Sequence, residues 1–333
     1  VSGVSAAGLT ALVSDYQGSA LEELSRADLL QSLLIHQRVL EGAMAQGPLL
    51  PVKFGTVLAS PEEIETVLTR YQARFLDAFS EVGDAVEIDL SATWDEGAVL
   101  ADVAPVAAVQ SADGPDVESL EDRIRLGSLV AERLEQRRDK YRQRAVSDLA
   151  PLARDLQSVP RPTDELVFNL AFLVEREDLD RFEAGVDRLG EDLGDRLSFR
   201  YVGPLPPYSF ASVELTHADP AVIASALQTL ELSDRVSPAE LRRVYRDLAA
   251  AHHPDRNLDD PEAQERFSSL AAAHESLEGY IRGQRETVER PDESRLFDLT
   301  PQAVADTVLL EIARADVEPR PRRTTIHEPQ PAG

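Results

Sequence analysis

The sequence predicts an α+β protein: two small β-α-β domains joined by a long helix, followed by an all-α helical hairpin and a disordered tail. Three observations carry this reading. Strand-like and helical segments alternate in the same order before residue 116 and after residue 160, a tract dense in Arg and Glu separates them, and the pattern from about Asp219 to Gly283 is helical. The expected divisions are 1–115 and 161–218 for the two α+β domains, 116–160 for the connecting helix, 219–285 for the hairpin domain, and 286–333 for a terminal helix and tail. Such a division suits 333 residues at roughly 100–200 residues per domain.

Taken in order, "VSGVSAAGLTALVSDY" offers two short strand-like stretches around Gly8. In "SRADLLQSLLIHQRVLEGAMAQG" Ser25 is an N-cap with Asp28 three residues on, and Leu29, Leu33, Leu40 and Met44 keep helical spacing until Gly47 and Pro48. "LLPVKFGTVLA" reads as extended. Ser60 then caps a helix that has Pro61 at its first position and Glu62 and Glu63 at its positive end. Gly83 stops it, and "AVEIDLSATW" is a strand. The tract from Ser119 to Gln157 carries its charges at (i, i+3) and (i, i+4) spacings, as an exposed helix does, until "VPRPTD" breaks it. "LVFNLAFLVER", "EDLDRFEAGVDRLGEDLG" and "LSFRYVG" form the second strand-helix-strand set, and "PLPPYSFASVEL" turns and continues extended. Helices on antiparallel sheets, ferredoxin-like, are the expected form. "TPQAVADTVLLEIARA" reads as a last helix, and the Pro-rich, charged stretch after it as disordered.

Composition narrows function. With 43 % hydrophobic residues the chain is globular, and no apolar run approaches the ~20 residues of a membrane span, so a soluble, cytoplasmic protein without a membrane partner is expected. The first residue is Val1, not Met, and a trimmed N-terminus is expected. The absence of cysteine removes disulfides, thiolate metal sites and cysteine nucleophiles. A net charge of −26 opposes nucleic-acid binding, which needs clustered cations. Lys53 and Lys140 are the only lysines, as in a GC-rich genome or a salt-adapted host.

The stretch "RDLAAAHHPDRN" concentrates two of the six histidines. As a metal site it fits poorly, because neighbours on a helix diverge by about a third of a turn. As an acid/base pair, His253 and Asp255 lack a pocket signature or a third positioning group. The bland alternative is a solvated helix end terminated by Pro254. Its setting adds something. "ALQTLELSDRVSPAELRRVYRDLAAAHHPDRNLDDPEAQERFSSLAAAHESLEG" resembles a J-domain. Leu241, Val244, Tyr245 and Leu248 share one helix face that Phe267, Leu270 and Leu277 can cover, holding the loop rigid and exposed. The resemblance implies that His253, Pro254 and Asp255, with Arg242, Arg243 and Arg246, dock on a DnaK-class chaperone and stimulate its ATPase. Three positions depart from the family pattern: His252 replaces a tyrosine, Glu231 a glycine, and Ala250-Ala251 a basic pair.

"LLIHQRVLEGAM", "GPLLPVKFGTVLASPEEIETVL" and "VEIDL", then "NLAFLVEREDLDRFEAGVDRL" and "YVGPLPPYSFASVEL", resemble the gas vesicle accessory family GvpF/GvpL over about residues 1–215. That family usually begins with an earlier short strand. Within "PVKFGTVL", Gly55 suits a close backbone approach or bulge, Lys53 is a lone cation, and Phe54, Val57 and Leu58 read as buried strand positions. Three prolines in "GPLPPYSF" make a stiff turn at a sheet edge or surface that places Tyr208 and Phe210. Lys53, Phe54 and Gly55, with Pro206, Pro207, Tyr208 and Phe210, are the candidate partner contacts. His36 and Trp94 read as core residues.

The resemblance implies a gas vesicle assembly factor that binds the small hydrophobic shell protein GvpA and other gas vesicle accessory proteins; the empty inventory of catalytic motifs predicts no enzymatic activity, and neither metal nor cofactor is expected. A general J-domain co-chaperone whose α+β part presents other clients is the alternative. An enzyme working in a cleft between the two α+β domains is a third reading, opposed by the lack of any nucleophile, metal or phosphate motif.

Overall fold

The computed structural model describes residues 1–16, 25–95, 97–100, 120–160, 163–257, 260–287 and 292–314. They belong to two compact units, Val1–Glu81 with Ala211–Ala313, and Val82–Phe210 with Arg314–Gly333. The tail from residue 315, expected to be disordered, lies outside the described residues. Among those described, no helix is long and apolar enough to cross a membrane.

The first unit opens with the hairpin β1 (Ser2–Ala6) and β2 (Leu9–Val13), paired from Ser2↔Val13 to Ala6↔Leu9. Its two-residue turn has positive φ at both Ala7 (50°) and Gly8 (76°), the twist that matches right-handed strands. Helix α1 (Arg26–Met44) starts at Ser25, whose side chain accepts from the Asp28 amide. The single helix expected after Ser60 is two, α2 (Pro61–Arg70) and α3 (Gln72–Val82), divided at Tyr71. Tyr71 is fully buried and its Oη donates to the Val308 carbonyl at 2.7 Å.

The second unit is a four-stranded antiparallel sheet in the order β4-β5-β3-β6, comprising β4 (Asp155–Ser158), β5 (Leu166–Glu175), β3 (Ala85–Thr93) and β6 (Ser198–Leu205). The strand Ala85–Thr93, expected to complete a domain ending at residue 115, therefore sits between the two strands of the later set, in register with Ala85↔Glu175 and Asp89↔Val202. The connecting helix α4 (Leu120–Leu149) stops before Pro151 instead of running to Gln157, and residues 155–158 become an edge strand. Helix α5 (Leu179–Leu193) follows β5, with Phe182 against Phe172 at 5.0 Å between ring centroids. A Cβ on its Gly185 would lie 2.7 Å from Leu152, so glycine permits the close approach. Trp94 is buried under the Arg138 guanidinium, 4.9 Å from its ring centroid.

The chain re-enters the first unit after a single turn, α6 (Tyr208–Ala211), as β7 (Ser212–His217), followed by helices α7 (Pro220–Thr229), α8 (Pro238–Ala251) and α9 (Ala263–Gly283). Two-residue strands β8 (Arg235–Val236) and β9 (Phe297–Asp298) pair across them. The expected terminal helix is confined to α10 (Pro301–Ala305), and Val308–Ala313 is a strand, β10, antiparallel to β7 from Val308↔His217 to Ala313↔Ser212. An apolar run this short suits either period, and β7 decides between them. Val308 and Leu310 enter a core with Val67, Leu68, Tyr71, Phe75 and Val213.

Helix α7 ends in a Schellman turn, with the Leu232 amide donating to the Leu227 carbonyl at 2.9 Å and the Glu231 amide to that of Gln228 at 3.2 Å. Glu231 thereby takes φ of +52°, a conformation that favours glycine. Glu231→Gly should stabilise the protein by about 1 kcal/mol despite the freer unfolded chain. A thermal melt showing an unchanged or lowered midpoint would contradict the strain.

Candidate functional site

The hairpin α8/α9 is built from local rules. Ser237 caps α8 by accepting from the Glu240 amide at 3.2 Å, with Pro238 at the first position. Leu241, Leu270 and Leu277 are buried together with Tyr280 and Phe297, and Val244, Tyr245 and Leu248 pack against them from α8, as their spacing predicts. Tyr245 stacks on His274 at 4.1 Å. Pro254–Arg256 forms a tight 3₁₀ turn. The last residue of that turn and the one after it close the end of α8: Arg256 donates to the Ala250 carbonyl (3.3 Å), and Asn257 to those of Ala251 and His253 (both 3.0 Å). His253 Nδ1 accepts from the Asp255 amide at 3.2 Å, and its ring meets Phe267 edge-on at 5.3 Å. His253 is thus oriented by the turn and by α9, while the Asp255 side chain is 87 % exposed. Among the described residues no cluster of His, Asp and Glu is arranged to hold a metal ion.

The three arginines of α8 have other engagements. Arg242 is ion-paired with Glu293, Arg243 lies 3.7 Å from Asp247 one turn on, and Arg246 Nε donates to the Arg242 carbonyl at 3.3 Å. Pairs this exposed are worth roughly 0–1 kcal/mol each, so the face remains basic but weakly so.

The "PVKFGTVL" motif is tied to β7. The Lys53 amide donates to the Val213 carbonyl and the Val213 amide to that of Pro51, both at 2.8 Å, and the Lys53 ammonium pairs with Glu214. This is an isolated bridge, not the expected strand. The chain turns back at once, because Thr56 bonds the Lys53 carbonyl through its amide (3.3 Å) and hydroxyl (2.8 Å), with Gly55 at φ +93° inside the turn. Phe54 is half-buried, edge-on to His36 of α1 at 5.5 Å. Burial lowers the pKa of His36, with the Val52 backbone opposing. Val57 was expected inside and is 50 % exposed, since the turn carries it to the surface.

Of the prolines of "GPLPPYSF", Pro204 lies in an edge strand, β6, and Pro206 and Pro207 follow it. Pro206, Pro207 and Phe210 are buried, however, so these three candidate partner contacts are interior, and Tyr208 alone of that group keeps partial exposure. The stiff turn instead returns Ser209 to the sheet, where its amide and hydroxyl each donate to the Glu87 carboxylate at 2.7 Å. Sequence reasoning passed over Glu87, although an acid inside the apolar "AVEIDLSA" was a signal for it. Glu87 is 3 % exposed. Burial pushes its carboxyl up to about 7 against the donation from Ser209, and the neighbouring Asp89 pushes the same way. Asp89 is also raised by burial, with Arg200 and Glu87 opposing.

Comparison with known proteins sets these features side by side with others. The family described as gas vesicle synthesis protein GvpL/GvpF matches residues 1–212, and the DnaJ domain matches 226–280. Gas vesicle protein F of Streptomyces sp. (strain CB03234) is 33 % identical over 216 residues, 61 % of this chain and 84 % of that one. The crystal structure of gas vesicle protein GvpF from Microcystis aeruginosa aligns with a TM-score of 0.53 at 25 % identity, covering 62 % of this chain and 87 % of the other. The chaperone protein DnaJ of Acidithiobacillus ferrooxidans (strain ATCC 53993 / BNL-5-31) is 46 % identical over 50 residues, 15 % of this chain and 13 % of that one.

The Glu87 geometry makes stability depend on pH in a definite direction. A carboxyl whose folded pKa is raised binds its proton more tightly in the native state, so its contribution is complete below the ordinary range near 4.5 and is lost as pH rises through about 7. Its span is on the order of 3 kcal/mol. Glu87→Gln, which mimics the neutral form, should match the wild type at pH 4 and exceed it at pH 8. A stability difference that stays flat across that interval in paired denaturant titrations would rule this out.

Proposed function

Because the chain belongs to the gas vesicle synthesis protein GvpL/GvpF family over residues 1–212, we propose that it is an assembly factor that binds the hydrophobic shell protein GvpA, works in the cytoplasm at gas vesicles, and recruits a DnaK-class chaperone through His253, Pro254 and Asp255. It acts by binding, not by catalysis. The observation that carries this reading is helix α1. Its Leu30, Leu33, Leu34 and Ile35 all face water, Leu34 at 60 % exposure, within nine consecutive uncharged residues of a chain that is 28 % charged. Apolar surface left open on a helix marks an interaction site. Behind it, His36 holds the Phe54 turn of the "PVKFGTVL" motif, which supports Lys53 and Gly55 as neighbouring contacts. A shell protein that self-associates through apolar surface needs a partner of this kind before incorporation, and a net charge of −26 keeps that partner soluble.

The tests use the full chain, since a fragment ending near residue 215 would lack Val308 and Leu310 from its core. Leu30→Glu with Leu34→Glu should weaken capture of GvpA roughly tenfold or more while leaving the melting temperature in place, since both side chains are exposed. Undiminished capture would remove α1 from the reading. For the chaperone arm, the wild type should stimulate a DnaK-class ATPase at low salt, fading toward ~1 M ionic strength. His253→Gln and Asp255→Asn should lose that stimulation. Equal stimulation by all three proteins would refute the role of the loop.

A further inference from the structure

The segment Asp292–Leu299 runs back across the start of α8 and is fastened there by its backbone. The Glu293 carbonyl accepts from the Ala239 amide at 3.1 Å, and the Leu299 amide donates to the Asp234 carbonyl at 2.7 Å. Phe297 is buried in the hairpin core and pairs with Val236. Ala239 is the second residue of α8, so the strap satisfies a helix N-terminal amide that Ser237, occupied with Glu240, leaves open. Asp292 stiffens the approach by accepting from the Ser294 amide at 2.9 Å and its hydroxyl at 2.5 Å. This anchoring delivers the Glu293 carboxylate to Arg242, the first of the three arginines on α8.

We infer that Glu293 is an intramolecular competitor for the basic face of α8, holding Arg242 in the place where an acidic partner surface binds. This rests on the chaperone-docking reading above. The partner chemistry follows from charge: Arg242, Arg243 and Arg246 lie within five residues of a chain carrying a net −26, and a local cationic face there attracts an acidic protein surface. Arg243 is shared with Asp247 of its own helix, so Arg242 is the position whose competing acid is brought from outside α8. Because backbone bonds, not the ion pair, seat the strap, losing the Glu293 charge frees Arg242 without detaching the segment.

The experiment measures DnaK-class chaperone affinity and ATPase stimulation at low salt for the full-length wild type, Glu293→Gln, and Glu293→Gln with Arg242→Gln. Glu293→Gln should bind roughly two- to fivefold tighter than the wild type, as release of one exposed pair allows, with an unchanged melting temperature. The double variant should lose that gain. If the wild type engages the chaperone and Glu293→Gln does so with equal affinity, the competitor is overturned and the docking reading stands. If neither engages it, the docking reading falls and takes the competitor with it. A gain that survives Arg242→Gln also overturns the proposal, since the benefit would then come from lower overall charge.

Discussion

The first unit depends on the ladder between Val308–Ala313 and Ser212–His217. It returns the end of the described chain to the strand that follows the proline turn, so α7, α8 and α9 form an excursion between two hydrogen-bonded strands. Each face of β10 serves a different core. Val308 and Leu310 complete the one made with α2 and α3, while Leu309 fits against Gly283 of α9, where a Cβ would come within 2.9 Å of it. The outer edge of the strand is occupied as well, because Tyr71 and Arg74 donate to the Val308 and Leu310 carbonyls at 2.7 Å. Unpaired edge carbonyls would otherwise be open to another strand.

That arrangement changes how the J-like region is understood. A DnaJ domain is a short helical module, and here its core also takes in Ala218, Phe297, Leu299 and Val304 from the chain on either side. Any partner that meets the His253 loop meets a segment built into the same compact unit as α1 and the "PVKFGTVL" turn. The loop owes its rigidity to small local bonds, those of Arg256 and Asn257 to the last carbonyls of α8.

In the second unit the governing tension is a carboxylate inside a sheet. Removing Glu87 from water opposes its charge, and the Ser209 amide and hydroxyl compensate in part. The proline turn is what makes Ser209 available, so its stiffness serves the interior. Residues that looked like a binding surface are the support of a buried polar group.

The sequence by itself determined several features whose partners lie within a few residues. Ser25, Ser60 and Ser237 cap their helices through Asp28, Glu63 and Glu240 as their spacing requires, Gly8 closes a hairpin, and the α8/α9 face holds the residues its periodicity assigns except Phe267, which is half-buried against His253. The tertiary structure alone decided the rest. "AVEIDLSATW" was legible as a strand, but its neighbours, Leu166–Glu175 and Ser198–Leu205, come from far along the chain. "TVLLEIARA" carries an apolar pattern that suits helix or strand, and only the free edge of β7 makes it a strand. The burial of Pro206, Pro207, Phe210 and Glu87, and the exposure of Leu34 and Val57, follow from such pairings too. A helix closes its hydrogen bonds four residues away and can be read locally; a strand closes them on another segment, and which side of it meets water is settled only when that segment arrives.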